Sequence, residues 1–120
     1  MTKNIEDKNR KKARRIARVR ARIAGTSTKP RLAVFRSHRN IYAQLIDDDN
    51  SKTLLAISSL SIADKKKSKK VDLAGILGEE LAKKAIAKGI TTVVFDRRAY
   101  KFHGRIASLA TGARKGGLIF

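Results

Sequence analysis

The chain has no cysteine, no tryptophan and a single proline among its 120 residues, and its aromatic content is limited to four phenylalanines and two tyrosines. Without cysteine there is neither a disulfide framework nor a thiolate metal site, a composition that fits an intracellular protein. Histidine is almost as scarce: with His38 and His103 alone there is no H-x-x-x-H pair, and neither G-x-x-x-x-G-K-[ST] nor G-x-G-x-x-G occurs. No apolar run approaches the ~20 residues that a spanning helix needs. The opening residues are charged and carry no apolar h-region, so no secretory signal is expected. Acid is the scarcest charge, with ten Asp and Glu against 29 Lys and Arg, a net charge of +19.

A charge of that size speaks of partners rather than of fold, and nucleic acid is the partner that accepts it most readily. It is concentrated in Lys8 to Arg22, KNRKKARRIARVRAR, which holds nine Lys or Arg and no acid in fifteen residues. On a 3.6-residue spiral Arg10, Arg14, Arg18 and Arg22 form one i, i+4 row, with Lys11 and Arg15 beside it and Arg20 in the same stretch. Ile16, Val19 and Ile23 form a narrow apolar seam. Like charges at that spacing oppose the helix by roughly 0.2–0.5 kcal/mol per pair. The expectation is an arm that frays alone and folds on a polyanion, where each guanidinium can offer a planar fork to phosphate oxygens and displace a counterion. A membrane surface is disfavoured, because the seam has no Trp, Phe or Leu to bury among headgroups.

Residues 1–30 are therefore read as a basic arm with a linker, Gly25 to Pro30, and residues 31–120 as one globular α/β domain. From Arg31 the period changes to two: Leu32 and Val34 alternate with Ala33 and Phe35, and Ile41, Ala43 and Leu45 with Tyr42, Gln44 and Ile46, which makes a hairpin turning at His38–Asn40. A third strand is expected near Thr53–Leu60, then a lysine-rich loop over Ala63–Lys70. Leu73, Leu77, Leu81 and Ala85 stack at i, i+4 in a helix over Val71–Lys88, flanked by Ile76 and Ile86, with Gly89 as its left-handed cap and Ile90 as the apolar contact beyond. Gly75 and Gly78 weaken that helix by roughly 1 kcal/mol each, which implies close approach to the sheet. Thr91–Phe95, TTVVF, reads as a strand covered on both faces and parallel to the first, reached by a right-handed crossover. A last helix is expected over Gly104–Lys115, with Leu118, Ile119 and Phe120 pinning the end to the core. The sum is β-β-β-α-β-α, a mixed sheet with flanking helices behind a helical arm.

Catalysis finds little support. Asp47–Asp49 invites a metal reading, yet an EF-hand register there lacks the central Gly and the closing Glu, so a solvated turn is the better account. A small nuclease using Asp47, Asp49 and Asp96 with a divalent ion is the rival from another class, and chelator-sensitive RNA cleavage would identify it. Two further segments add to the nucleic-acid reading. In DRRAYKFHGR, Asp96 to Arg105, the cations Arg97, Arg98, Lys101 and Arg105 interleave with Tyr100, Phe102 and His103, a pattern that can hold phosphates and stack unpaired bases. The alternative is that Tyr100 and Phe102 pack inward and His103 caps the next helix. The hairpin end contributes Arg36, Ser37, Arg39, Tyr42 and Gln44.

Taken together, RLAVFRSHRNIYAQLID (Arg31 to Asp47), AKGITTVVFDR (Ala87 to Arg97), YKFHGRIASLA (Tyr100 to Ala110), the basic arm and the ending GGLIF resemble the large-subunit ribosomal protein L-eighteen family of bacteria over essentially the full length. The resemblance implies a cytoplasmic structural protein of the large ribosomal subunit that acts in translation, with no catalytic activity, no cofactor, no small-molecule substrate and no membrane partner. It further implies that the chain binds 5S rRNA and helps attach it to 23S rRNA among the neighbouring proteins of the central protuberance. Carried across by motif, the arm's arginines would grip the 5S backbone, Arg36 to Gln44 would present the hairpin, and Arg97 with Tyr100, His103 and Arg105 would form a second contact. Where the family has small residues including glycine before the aromatic, this chain has Arg98 and Ala99. The rival binding reading is a general nucleic-acid-coating protein.

Overall fold

A computed structural model describes residues 2–21, 23–61, 70–98 and 100–120. Its elements run α1 (Thr2–Arg20), β1 (Arg31–Arg36), β2 (Ile41–Asp47), β3 (Lys52–Ser58), a short 3-10 turn at Ser59–Ser61, α2 (Lys70–Ala87), β4 (Val94–Asp96) and α3 (Gly104–Lys115). The expected β-β-β-α-β-α order behind a helical arm is therefore present. Most of the lysine-rich loop, together with Arg22 and Ala99, lies outside the described residues.

One sheet carries all four strands in the order β3-β2-β1-β4. β1 is antiparallel to β2, with Arg36 opposite Ile41 at the turn, and parallel to β4, as expected when a helix separates the two strands. Alternation sends Leu32, Val34, Ile41, Ala43, Leu45 and Ile57 to one face. There they meet Leu77, Leu81 and Ala85 of α2 and Ile106, Leu109 and Ala113 of α3. Each fully buried Leu, Ile or Val side chain in that layer stabilises the fold by roughly 1.5–3 kcal/mol.

Three details depart from the sequence reading. The run Thr91–Phe95 is not one doubly covered strand: only Val94–Asp96 is regular, at the edge of the sheet, with Val94 and Phe95 half-buried. The residues before it turn to the C-terminus instead, where Ile119 N–H donates to Thr91 O at 2.9 Å and Val93 N–H to Ile119 O at 3.1 Å. The tail so closes part of the edge. Leu118 is buried and the Phe120 ring stacks on Phe95 at 5.6 Å, whereas the Ile119 side chain faces solvent.

Ile76 and Ile86 are exposed at 40% and 41% rather than flanking the core. Finally, the glycines of α2 approach α3 and not the sheet. A Cβ on Gly78 would stand 2.2 Å from Leu109 O, and one on Gly112 only 2.1 Å from Gly75 O. The two backbones cross in contact, which only residues without a side chain allow. At the other end of α2, Gly89 adopts φ +83, Ile90 N–H donates to Ala85 O and Gly89 N–H to Ile86 O, the paired bonds of the expected glycine cap.

Candidate nucleic-acid interface

The arm joins the domain at a carboxylate. Asp48 Oδ2 accepts from Gly25 N–H at 2.7 Å, from Arg31 Nε at 3.1 Å and from Arg20 Nη1 at 3.3 Å, while Oδ1 accepts from Arg31 Nη2 at 3.2 Å. Asp48 N–H in turn donates to Gly25 O at 3.1 Å. Gly25 lies so close to the sheet that a Cβ there would be 2.4 Å from Ile46 O. Thr26 to Lys29 then fold into a turn held by Thr26 Oγ1, and Pro30 is buried. The segment read as a separating linker is instead stitched to the domain.

Arg31 carries the network inward, its Nη1 donating to the fully buried Asp96 Oδ2 at 2.7 Å. Burial pulls the Arg31 pKa down, but Asp48 and Asp96 more than offset that and leave it raised. The Arg31 bonds, with Gly25 and Arg20 adding to them against a desolvation penalty, lower Asp48 to about 2. The acidic turn is solvated only in part: Asp49 and Asn50 are exposed, whereas Asp48 is the hub and the buried Asp47 holds Asp49 N–H at 3.1 Å and Asn50 Nδ2 at 2.7 Å. Among the described residues no three His, Cys, Asp or Glu gather as a metal site.

At the C-terminal end of β4 the loop leading to α3 is folded back onto β1. Arg36 N–H donates to the Tyr100 hydroxyl at 3.0 Å, and the hydroxyl donates to Arg36 O at 3.1 Å. The Arg36 guanidinium lies 5.2 Å from the Tyr100 ring centre, and Arg97 Nη1 donates to Tyr100 O at 2.6 Å. Tyr100 is therefore docked and half-buried, while Phe102 is 51% exposed with its ring perpendicular to that of Phe95. His103 stands at the N-cap of α3 without a side-chain capping bond.

Arg98 of this loop is left-handed, at φ +57, a conformation that costs a non-glycine roughly 1–3 kcal/mol. Two contacts hold it there: Asp96 Oδ1 accepts from its N–H at 2.8 Å, and its guanidinium covers the Phe35 ring at 4.3 Å. At the hairpin tip Ser37 Oγ accepts from Asn40 N–H at 3.1 Å, fixing the turn, and Ser37 O accepts from Arg105 Nη2 at 3.2 Å. Partial burial, with the Arg36 charge alongside, lowers the Arg105 pKa, although a guanidinium stays protonated at neutral pH. Arg36, Arg39 and Arg105 thus present clustered positive charge at one end of the sheet. Lys70 Nζ adds to it, donating to His38 O at 2.7 Å. Tyr42 and Gln44 are half-buried on the face of the sheet opposite the helices.

The arm's apolar seam, Ile16, Val19 and Ile23, is half-buried, a contact with the body that the reading of a separate arm did not include, and residues 5–15 are exposed. Extended toward the N-terminus by four-residue steps, that seam becomes Lys12 and Lys8. With Lys11 and Arg15 they line a hollow whose remaining wall is Tyr100. Arm and loop, far apart in sequence, therefore share one cationic recess. Lys8 and Lys12 were not singled out from the sequence, although the seam's own period points to them. Of the expected arginine row, Arg10 pairs with Asp7 at 3.1 Å on open surface, a contact worth little. Arg14 and Arg18 are exposed, Arg22 lies outside the described residues, and Arg20 is committed to Asp48.

Residues 6–120 match the family model described as ribosomal L18 of archaea, bacteria, mitochondria and chloroplasts. The chain is 55% identical to the large ribosomal subunit protein uL18 of Chlorobium phaeovibrioides over 104 residues, covering 86% of this chain and 87% of the relative. It is 52% identical to the protein of the same name from Listeria monocytogenes serotype 4a over 114 residues, 95% of this chain and 96% of the relative. A Clostridium perfringens relative, also named uL18, is 51% identical over the same shares.

Proposed function

The chain belongs to the ribosomal L18 family, and from that premise we propose that it binds 5S rRNA and helps attach it to 23S rRNA in the central protuberance of the large subunit. Family membership makes it a structural protein of the large ribosomal subunit, not an enzyme. The finer reading assigns residues 1–30 as the RNA-gripping arm and 31–120 as the domain that orients it within the cytoplasmic ribosome, among neighbouring proteins of the protuberance.

One observation carries the reading: the recess lined by Lys8, Lys11, Lys12, Arg15 and Tyr100. Four cations without an acid in the lining repel one another, and Arg97, Arg36 and Arg105 stand near its aromatic wall. A sugar-phosphate backbone laid there relieves that repulsion and releases counterions. Beside it, exposed Phe102 and His103 can stack unpaired bases while the clustered arginines hold phosphates. In this division of labour Arg10, Arg14 and Arg18 on the outer side of the arm supply sequence-independent affinity. The hairpin residues Arg36, Ser37, Arg39, Tyr42 and Gln44 read RNA shape together with Arg97, Tyr100, His103 and Arg105. Hydroxyl-radical footprinting of 5S rRNA with the full chain tests this. The expected result is protection of a discrete segment that survives competition by an unrelated duplex. Equal displacement by that duplex at physiological salt would leave a general coating protein instead.

A further inference from the structure

A 19-residue helix, about 28 Å long, leaves the domain with residues 5–15 exposed. Its polar ties to the body converge on Asp48: Arg20 Nη1 from the helix itself and Gly25, through both its N–H and its carbonyl, from the segment that follows. Arg31, bound to both Asp48 oxygens and to Asp96, fixes the carboxylate from the sheet side. The half-buried Ile16, Val19 and Ile23 offer only a narrow apolar stripe. The distal half of the arm brings Lys8, Lys11, Lys12 and Arg15 toward a loop that is itself cationic, so long-range charge favours swinging the arm away.

We propose that Asp48 is a positioning residue for RNA binding: an acid in a strongly basic protein that strengthens its hold on a polyanion by fixing the angle at which the arm leaves the domain. The inference rests on the RNA reading above and makes a prediction of opposite sign to simple electrostatics. Asp48→Asn raises the net charge from +19 by one, which by charge alone tightens binding to RNA. As the holder of a pre-set arm its loss weakens binding, because the ordering then has to be supplied at the moment of association.

The absence of cysteine makes the test direct, since Ala13→Cys and Lys83→Cys, both at exposed positions, are the only thiols that a spin label can reach. In the otherwise unaltered chain the label-to-label distance is expected to be a single narrow distribution, against the fraying that the arm's like charges alone would favour, and with Asp48→Asn a broad one. Affinity for 5S rRNA at 150 mM salt falls by about tenfold in the same variant. Arg20→Gln, which removes the tie from the helix together with the Arg20 bond to Ile23 O and leaves Arg31 with both carboxylates, broadens the distance distribution in the same way and adds little to that broadening in the double variant. It also serves as the test where Asp48→Asn does not fold, as judged by its melting transition. Unchanged or tighter RNA binding overturns the proposal, as does weaker binding with an unchanged distance distribution. Failure of the unaltered chain to prefer 5S rRNA over an unrelated transcript sinks the RNA reading itself, while the distance measurement still reports whether Asp48 holds the arm.

Discussion

Asp48 gains its bonds only in the folded chain, so its titration is a measure of fold integrity. Its folded pKa of about 2 lies below the ordinary 3.8, and its contribution is therefore complete above pH ~4 and lost as the pH falls toward 2. A shift of that size, with the side chain 21% exposed, corresponds to about 2 kcal/mol. The stability gap between the unaltered chain and Asp48→Asn, measured by urea denaturation, should close by about that amount between pH 5 and pH 2; a gap independent of pH would mean that the carboxylate is not held by these bonds. Arg31 is the more dangerous position. Arg31→Gln leaves Asp96 fully buried without its counter-charge, an arrangement that costs about 3–5 kcal/mol, so its denaturation midpoint should drop well below that of Asp48→Asn. Neither role was legible in the sequence, where DDDNS has the composition of any polar turn. The partners of Asp48 are 17, 23 and 28 residues away, and only the completed sheet brings them together.

At the scale of elements the sequence is far more explicit, because local periodicity and local caps are what set an element. The Leu73, Leu77, Leu81 and Ala85 stack is buried as its spacing requires, Gly89 and Ile90 form the expected cap, and α3 runs over Gly104–Lys115 as read. What periodicity does not carry is the identity of the neighbour. Gly75, Gly78 and Gly112 mark close approach, but whether to a sheet or to a helix depends on how α2 and α3 cross. TTVVF likewise has the composition of a covered strand, yet Thr92 bridges the C-terminal tail and leaves only three residues of β4 beside β1.

The helix crossing itself predicts a ranking. Gly112→Ala and Gly78→Ala each drive a methyl into backbone that cannot rotate away, and should destabilise the domain by about 2–3 kcal/mol. Gly75→Ala meets chiefly Ser108 Oγ at 3.1 Å, a side-chain atom at a distance that a shift of a few tenths of an ångström relieves, while gaining roughly 1 kcal/mol of helix propensity. Its melting temperature should stay within a few degrees of the parent, and a loss as large as that of Gly112→Ala would show that the crossing is tighter than these contacts indicate.

For the whole molecule, the arm presents two cationic faces with different consequences. One, with Arg10, Arg14 and Arg18, looks outward; the other, with Lys8, Lys12 and Arg15, looks into the recess shared with Tyr100. Replacing either set of three by Gln removes the same charge, so each triple variant should flatten the dependence of log affinity on log salt by about 2–3. Where the faces differ is in discrimination. An outward cation finds phosphates on any nucleic acid, whereas the recess exists only because arm and loop are held together, and it admits a backbone only at the spacing that arm and domain set. The outward triple variant should therefore weaken 5S rRNA and an unrelated duplex in parallel and leave their ratio intact. The recess variant should lower the ratio by about tenfold, since contacts that depend on RNA shape are lost along with charge. Competition binding of both RNAs at two salt concentrations separates these outcomes. Parallel losses in both variants would reduce the arm to an undirected source of charge and leave selectivity to the domain's hairpin and loop.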